Sequence, residues 1–252
     1  MNNKAGIIIQ ARRGSTRFPD KVIRLFYNGS SILELLLKRF KDLQGLSLCV
    51  ATTLRGEDDF IADMCMHHDV NIYRGPTDNV LERFYGAALK FNIDPVIRIC
   101  SDNPFVLPSS VTELVAAQRI NRYDYIGYKL SENRIGIKTH FGLWAELISV
   151  PAMAEVLEIK PENVYFEHVT NYMYSHPEKF NNHLIEVPEY LFNRKDIRLT
   201  VDTEDDFLLA EEIYKEYFNT YGNLDLLKLI ELIDRNDRWK RMMMKGIVRN
   251  EK

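Results

Sequence analysis

Near its start the chain sets Arg12, Arg13, Arg17 and Lys21 around Gly14, Ser15 and Thr16. Clustered cations neutralise phosphate oxygens, and small residues between them let backbone N–H groups approach the same anion. The spacing is neither G-x-G-x-x-G nor G-x-x-x-x-G-K-[ST], so the two commonest nucleotide fingerprints are excluded. An exposed basic turn is the competing reading. Two acids far along the chain, Asp102 and Asp202, have the complementary character. Mg²⁺ is held by few carboxylates together with water and substrate phosphates. Two aspartates facing a cationic glycine-serine loop would place such a metal against a bound triphosphate.

For these residues to meet, the elements before them must end at one edge of a sheet. Ile7-Ile8-Ile9 is an apolar run too short for a helix and reads as a buried strand feeding the loop. Leu46 to Thr52, Asn71 to Arg74 and Pro95 to Ser101 read as further strands, the last leading into Asp102 and the Asn103-Pro104 break. Ser31 and Glu34 form a capping box for a helix reaching Phe40. Further helices are expected from Glu57 to His68, Asn79 to Phe91 and Pro108 to Arg119. Strands alternating with helices, several apolar throughout, predict a mostly parallel central sheet covered on both faces. Ligands of such sheets bind beyond the carboxyl ends of the strands.

The second half is less regular. Tyr123 to Tyr128, Gly142 to Ser149, Leu184 to Val187 and Ile197 to Val201 read as strands, with short helices near Pro151 and Pro161. Helices are expected from Glu204 to Phe218 and from Leu224 to Ile233. Asp202 closes the Ile197–Val201 run. An N-cap role for it competes with a functional one, but Thr203 with Asp206 already makes a capping box. For Asp102 an Asx-turn before Pro104 is the local alternative. One domain over 1–234 is expected, with an inserted lobe at about 123–195 and a loosely held basic end over 235–252.

The composition bounds the function. There are 33 basic and 36 acidic residues in 252, a net charge of −3, which argues against a nucleic-acid coat while allowing a local cationic pocket. Cys49, Cys65 and Cys100 have no CxxC spacing, so they read as buried thiols of a reducing compartment. No apolar run approaches the roughly 18 residues of a membrane span. A cytoplasmic protein that binds neither membrane nor nucleic acid is expected.

Ile9-Gln10-Ala11-Arg12-x-Gly14-Ser15-Thr16-Arg17-x-Pro19-x-Lys21 resembles the opening motif of the cytidylyltransferases that activate acidic sugars. These include CMP-KDO synthetase, the acylneuraminate cytidylyltransferases and the spore-coat polysaccharide type. Weaker matches follow in order: Ala51-Thr52, Arg74-Gly75, Asp78-x-Val80-Leu81-x-Arg83, Arg98 through Asp102 and Pro104, Glu167-His168-Val169-Thr170, and Arg198 through Thr203. The resemblance implies a Rossmann-like, GT-A-like nucleotidyltransferase fold with a small acceptor and dimerisation lobe. It also implies Mg²⁺ as cofactor, CTP and a small anionic sugar acceptor as partners, and a homodimer. By position, Ala11, Arg12, Gly14, Ser15, Arg17, Lys21, Arg74 and Arg98 would bind the nucleotide. Asp102 and Asp202 would hold the metal, and with Arg12 and Lys21 would make up the catalytic set.

The departures fall in two places. Asp20 stands where such proteins usually have glycine. Thr139 to Glu146 stands where the pattern is commonly Pro-Asp-Gly-x-Asp-x-Glu, so only Gly142 and Glu146 persist. That segment puts His140, Trp144 and Glu146 among the acceptor-site candidates, with Glu167 and His168 from the next motif. For His168 a role in an aromatic helix face competes. A glycosyltransferase is a rival reading, although Ser101-Asp102-Asn103 supplies one acid where a D-x-D motif has two. A non-catalytic nucleotide-binding homologue is the third.

Overall fold

The computed structural model describes residues 4–250. The chain begins with β1 (Lys4–Gln10), a hairpin of β2 (Leu25–Tyr27) and β3 (Ser30–Ser31), α1 (Ile32–Phe40), β4 (Ser47–Thr53), α2 (Asp59–His67) and β5 (Asn71–Gly75). There follow α3 (Val80–Phe91), β6 (Ile93–Cys100), α4 (Pro108–Ile120), β7 (Tyr125–Ser131), β8 (Arg134–Ile135) and β9 (Glu146–Ile148). The remainder is α5 (Val150–Ile159), α6 (Asn163–Glu167), α7 (Asn171–Ser175), β10 (Asn182–Glu186), α8 (Glu204–Tyr221), α9 (Leu226–Asp234) and α10 (Asp237–Arg249).

The main path of the 8-stranded sheet is β10-β7-β9-β6-β1-β4-β5, with β8 beside β7. Strands β5, β4, β1 and β6 are parallel, and β9 lies antiparallel between β6 and β7. Apolar runs suit strands covered on both sides, because successive side chains point to opposite faces. Ile7 and Ile9 enter the core beneath α1, α8 and α9, whereas Ile8 enters the one formed with α3 and α5. The segment 123–195 contributes β7 to β10 to this same sheet and α5 to α7 to one of its faces.

Three local expectations are corrected. Ile197–Val201 is extended but is not a strand of the sheet. Its N–H groups bond to loops instead: Leu199 and Thr200 to the His140 carbonyl at 2.9 and 3.3 Å, and Val201 to the Asp102 carbonyl at 2.9 Å. These loop carbonyls take the N–H groups that a ladder would otherwise use. Of Gly142–Ser149 only Glu146–Ile148 pairs, since Gly142 takes a left-handed φ of 62°. The 235–252 end, of which Glu251 and Lys252 lie outside the described residues, forms α10 rather than a loose tail. Asn236 caps this helix, and Trp239 and Met243 bury its apolar side while the basic residues line the other. The β2–β3 hairpin is additional; Asn28 and Gly29, with φ of 47° and 74°, are the left-handed pair that a two-residue turn demands.

Candidate active site

From the end of β1 the chain enters the cationic loop, and its charges are directed to different tasks. The Arg13 backbone N–H donates to Asp58 at 2.8 Å, and the Arg13 guanidinium pairs with Asp20 at 2.7 Å. The hydrogen bond from Arg13 holds the Asp20 carboxyl below its usual range. Asp20 is therefore paired inside the loop, with Arg13. Its φ of 60° explains why glycine suits this position. Asp20→Gly relieves a backbone cost of roughly 1 kcal/mol and gives up a solvent-screened ion pair of small worth. The two should cancel, so the thermal-unfolding midpoint is expected within a few degrees of wild type. A large loss would show that the pair holds the loop.

Two of the remaining loop cations reach the two aspartates. The buried Lys21 Nζ lies 3.1 Å from Asp102 Oδ2 and donates to the Val201 carbonyl at 2.7 Å. Arg17 Nη2 lies 2.8 Å from Asp202 Oδ1. The other Asp202 oxygen accepts from Arg198 at 3.0 Å. Asp102 and Asp202 thus come together at one place although only Asp102 follows a strand of the sheet.

They stand between two adjoining clefts. The smaller, about 300 Å³, has Arg12, Ser15, Arg17, Lys21 and Glu167 in its wall. The larger, about 730 Å³, is walled by the 136–146 turn, with Trp144 and Glu146, and by residues of α6 and α7. Arg17, Arg98, Asp102, His168 and Asp202 line both. Arg98 is buried at the partition and faces Glu146 across the β6–β9 register at 2.5 Å. Glu146 also accepts from Tyr125 at 2.7 Å and Thr170 at 3.3 Å. Burial works against the Arg98 charge, but neighbouring Cys100 and Glu146 more than offset it and raise its pKa.

Several expected residues sit elsewhere. Arg74 lines neither cleft, because its guanidinium is committed to the carbonyls of Thr53 and Arg55 and to Asp59, at 2.9, 2.7 and 2.5 Å. Gly14 faces Glu57, where an added Cβ would come within 2.8 Å, and the Ala11 N–H is spent on the Ala51 carbonyl at 3.2 Å. His140 is buried behind the larger cleft with Nδ1 at 2.7 Å from Arg198. Glu167 belongs to the smaller cleft, 3.7 Å from Arg12, rather than to the larger one. Trp144 does line the larger cleft, stacked 5.7 Å from Tyr128.

Other residues were missed in the sequence. Arg198 binds Asp206 through two bonds of 2.7 Å as well as Asp202. Burial opposes its charge, and the Asp206 and Asp202 carboxylates raise its pKa nevertheless. Its position four residues before Asp202 was the available signal, but it had no helix to give that spacing meaning. Asn103, Tyr174 and Thr200 also line the larger cleft; Thr200 lies within the Arg198-to-Thr203 match, and no pattern marks the other two.

A mostly parallel sheet with helices on both faces and this cleft at its strand ends is a Rossmann-like nucleotidyltransferase. A solved cytidylyltransferase structure from Leptospira borgpetersenii superposes with a TM-score of 0.77 at 24% identity, covering 94% of this chain and 96% of that one. The structure of CMP:2-keto-3-deoxy-manno-octonic acid synthetase complexed with CTP superposes with a TM-score of 0.62 at 15% identity, covering 84% and 98%. The chain belongs to the cytidylyltransferase family, whose model matches residues 6–231. An uncharacterized protein of Methanocaldococcus jannaschii is 37% identical over 234 residues, 92% of this chain and 91% of that one. The spore coat polysaccharide biosynthesis protein SpsF of Bacillus subtilis is 30% identical over 235 residues, 91% and 93%. No helix among the described residues is long and apolar enough to cross a membrane.

Proposed function

We propose that the protein is a Mg²⁺-dependent cytidylyltransferase. It transfers CMP from CTP to an acidic sugar or related anionic acceptor for cell-surface glycan synthesis, in the cytoplasm and as a homodimer. The observation that carries this reading is the position of Asp102 and Asp202, each bonded to a loop cation and each lining both clefts. Similarity to the SpsF protein and to the synthetase complexed with CTP supports the choice of nucleotide and pathway.

The donor set fits the metal. Among the described residues no group of three or more His, Cys, Asp or Glu is placed to hold one, so an all-protein cage is not the arrangement. Two hard carboxylates beside a phosphate-binding loop are the set that Mg²⁺ shares with substrate phosphates. Asp102 and Asp202 would hold the ion, which supplies charge neutralisation at the α-phosphate. Arg12, Ser15, Arg17 and Lys21 bind the triphosphate in the smaller cleft and stabilise the charge that develops on the leaving pyrophosphate. An acceptor oxygen from the larger cleft attacks the α-phosphorus in line, forming the new P–O bond as the bond to pyrophosphate breaks.

The acceptor lies against Trp144, with its anionic group toward Lys138, whose Nζ sits 5.0 Å over the Tyr174 ring at the cleft wall. The test is pyrophosphate release from CTP with Mg²⁺ across a panel of sugar acids and sugar phosphates, with UTP, GTP and ATP as competitors. Release with no acceptor in the panel, or preference for another base, would count against the assignment. Trp144→Ala should raise the acceptor KM about tenfold while leaving CTP affinity unchanged, for the loss of one stacked face. An unchanged acceptor KM would move the acceptor off this wall.

A further inference from the structure

The C-terminal helix α10 lies wholly beyond residues 6–231, the span matched by the family model, yet it reaches the site. Met243 and Gly246 within it are three positions apart and so share one face, and Asn250 is the residue that ends it. Met243 Sδ accepts the Arg198 N–H at 3.4 Å. Gly246 lies flat against the Arg198 side chain; an added Cβ would come within 2.9 Å of Cδ and 3.0 Å of Nε. Asn250 Oδ1 accepts from Arg17 Nη1 at 2.6 Å, and its amide nitrogen is anchored on the Gly246 carbonyl at 2.9 Å.

These contacts matter because the sheet does not hold Asp202. The extended segment that carries it is fixed by loop carbonyls, and its carboxylate is gripped by Arg198 and Arg17. Arg198 is in turn fixed by Asp206, by the buried His140 behind the larger cleft, and by α10. Arg17 has a side chain 55% exposed on a loop, where an arginine would otherwise sample many rotamers. Its two ends are held, one by Asp202 and one by Asn250, in an orientation that lines both clefts.

We propose that α10 is a working part of the site and that Asn250 is a positioning residue. Asn250 holds Arg17 at the cleft mouth in readiness for the triphosphate, and the Met243–Gly246 face seats the Arg198 grip on Asp202. This rests on the reading that the smaller cleft takes a nucleoside triphosphate. A side chain that must be ordered on binding costs affinity, and preordering it removes that cost.

The test is calorimetric titration of CTP, and separately of inorganic pyrophosphate, into wild type, Asn250→Ala and Asn250→Asp, each with Mg²⁺. Thermal unfolding is followed in parallel. Asn250→Ala should keep the wild-type unfolding midpoint while weakening both ligands about three- to tenfold. Asn250→Asp should weaken them further, because a carboxylate on Arg17 competes with the phosphates. The loss should appear in the KM for CTP and leave kcat nearly unchanged, a split that general destabilisation would not produce. Wild-type affinity in both variants overturns the role of Asn250 and leaves the proposed function intact. Wild type that binds neither ligand overturns the proposed function, and this inference with it.

Discussion

Asp202→Asn should abolish most pyrophosphate release while leaving the protein folded. The amide keeps the shape of the side chain and one oxygen to accept from Arg17 or Arg198. Arg198 also retains its two bonds of 2.7 Å to Asp206, so no buried cation loses all its partners. The stability cost is that of losing one charge-assisted bond to a guanidinium, about 1.5–3 kcal/mol. Activity faces a different loss, since a neutral amide neither binds a hard cation well nor completes a two-carboxylate set. A drop on the order of 10²–10³-fold is expected, the range found when one preorganised transition-state contact is removed. Asp102→Asn should behave alike, with Lys21 still held by the Val201 carbonyl at 2.7 Å. The measurement is steady-state release beside a thermal melt. A variant retaining near wild-type turnover would take Asp202 out of the metal-binding set.

Glu146→Ala should have the opposite signature, a large loss of stability. Arg98 and Glu146 are both at least nine-tenths buried, and truncation leaves the guanidinium uncompensated at the partition between the clefts. Tyr125 and Thr170 lose an acceptor at the same time. Breaking one side of a buried pair costs on the order of 3–5 kcal/mol, which for a domain of this size lowers the melting midpoint by roughly 6–20 °C. Arg98→Met with Glu146→Leu should recover most of that, because two apolar side chains replace both desolvated charges. Urea midpoints of the singles and the double complete the cycle. A loss in the double variant equal to the sum of the separate Arg98→Met and Glu146→Leu losses would mean that the pair is not coupled. Activity separates the roles further: a stable double variant that remains inactive would make Arg98 a binding residue as well as a structural one.

Much of the fold was legible because it depends on local pattern. Ser31 with Glu34 and Thr203 with Asp206 form capping boxes as their spacing requires, and the apolar runs of β1, β4 and β6 are covered on both faces. The misreadings arise where a neighbour decides. Ile197–Val201 has the residues of a strand, yet its N–H groups are taken by the His140 and Asp102 carbonyls of two loops. The basic end reads as solvated by charge count, while its Trp239 and Met243 find a core that no local pattern reveals. Asp20 departs from the usual glycine of the loop, and only the fold shows that its charge is spent on Arg13.

What the sequence determined by itself is the chemistry of the cleft: a cationic loop after a buried strand, Asp102 beyond another, and the ordered motifs of a cytidylyltransferase. Residue type and local spacing carry that information, since charge and hydrogen-bonding capacity belong to the side chain wherever it lies. What only the tertiary structure decided is which of those charges are available and which are already spent. Arg74 is committed to the β4 end, and Arg98 to Glu146. Arg198, Asn250 and the C-terminal helix are committed to Asp202 and Arg17. Ion pairs between residues far apart in the chain depend on distances of a few ångströms, and folding sets those distances.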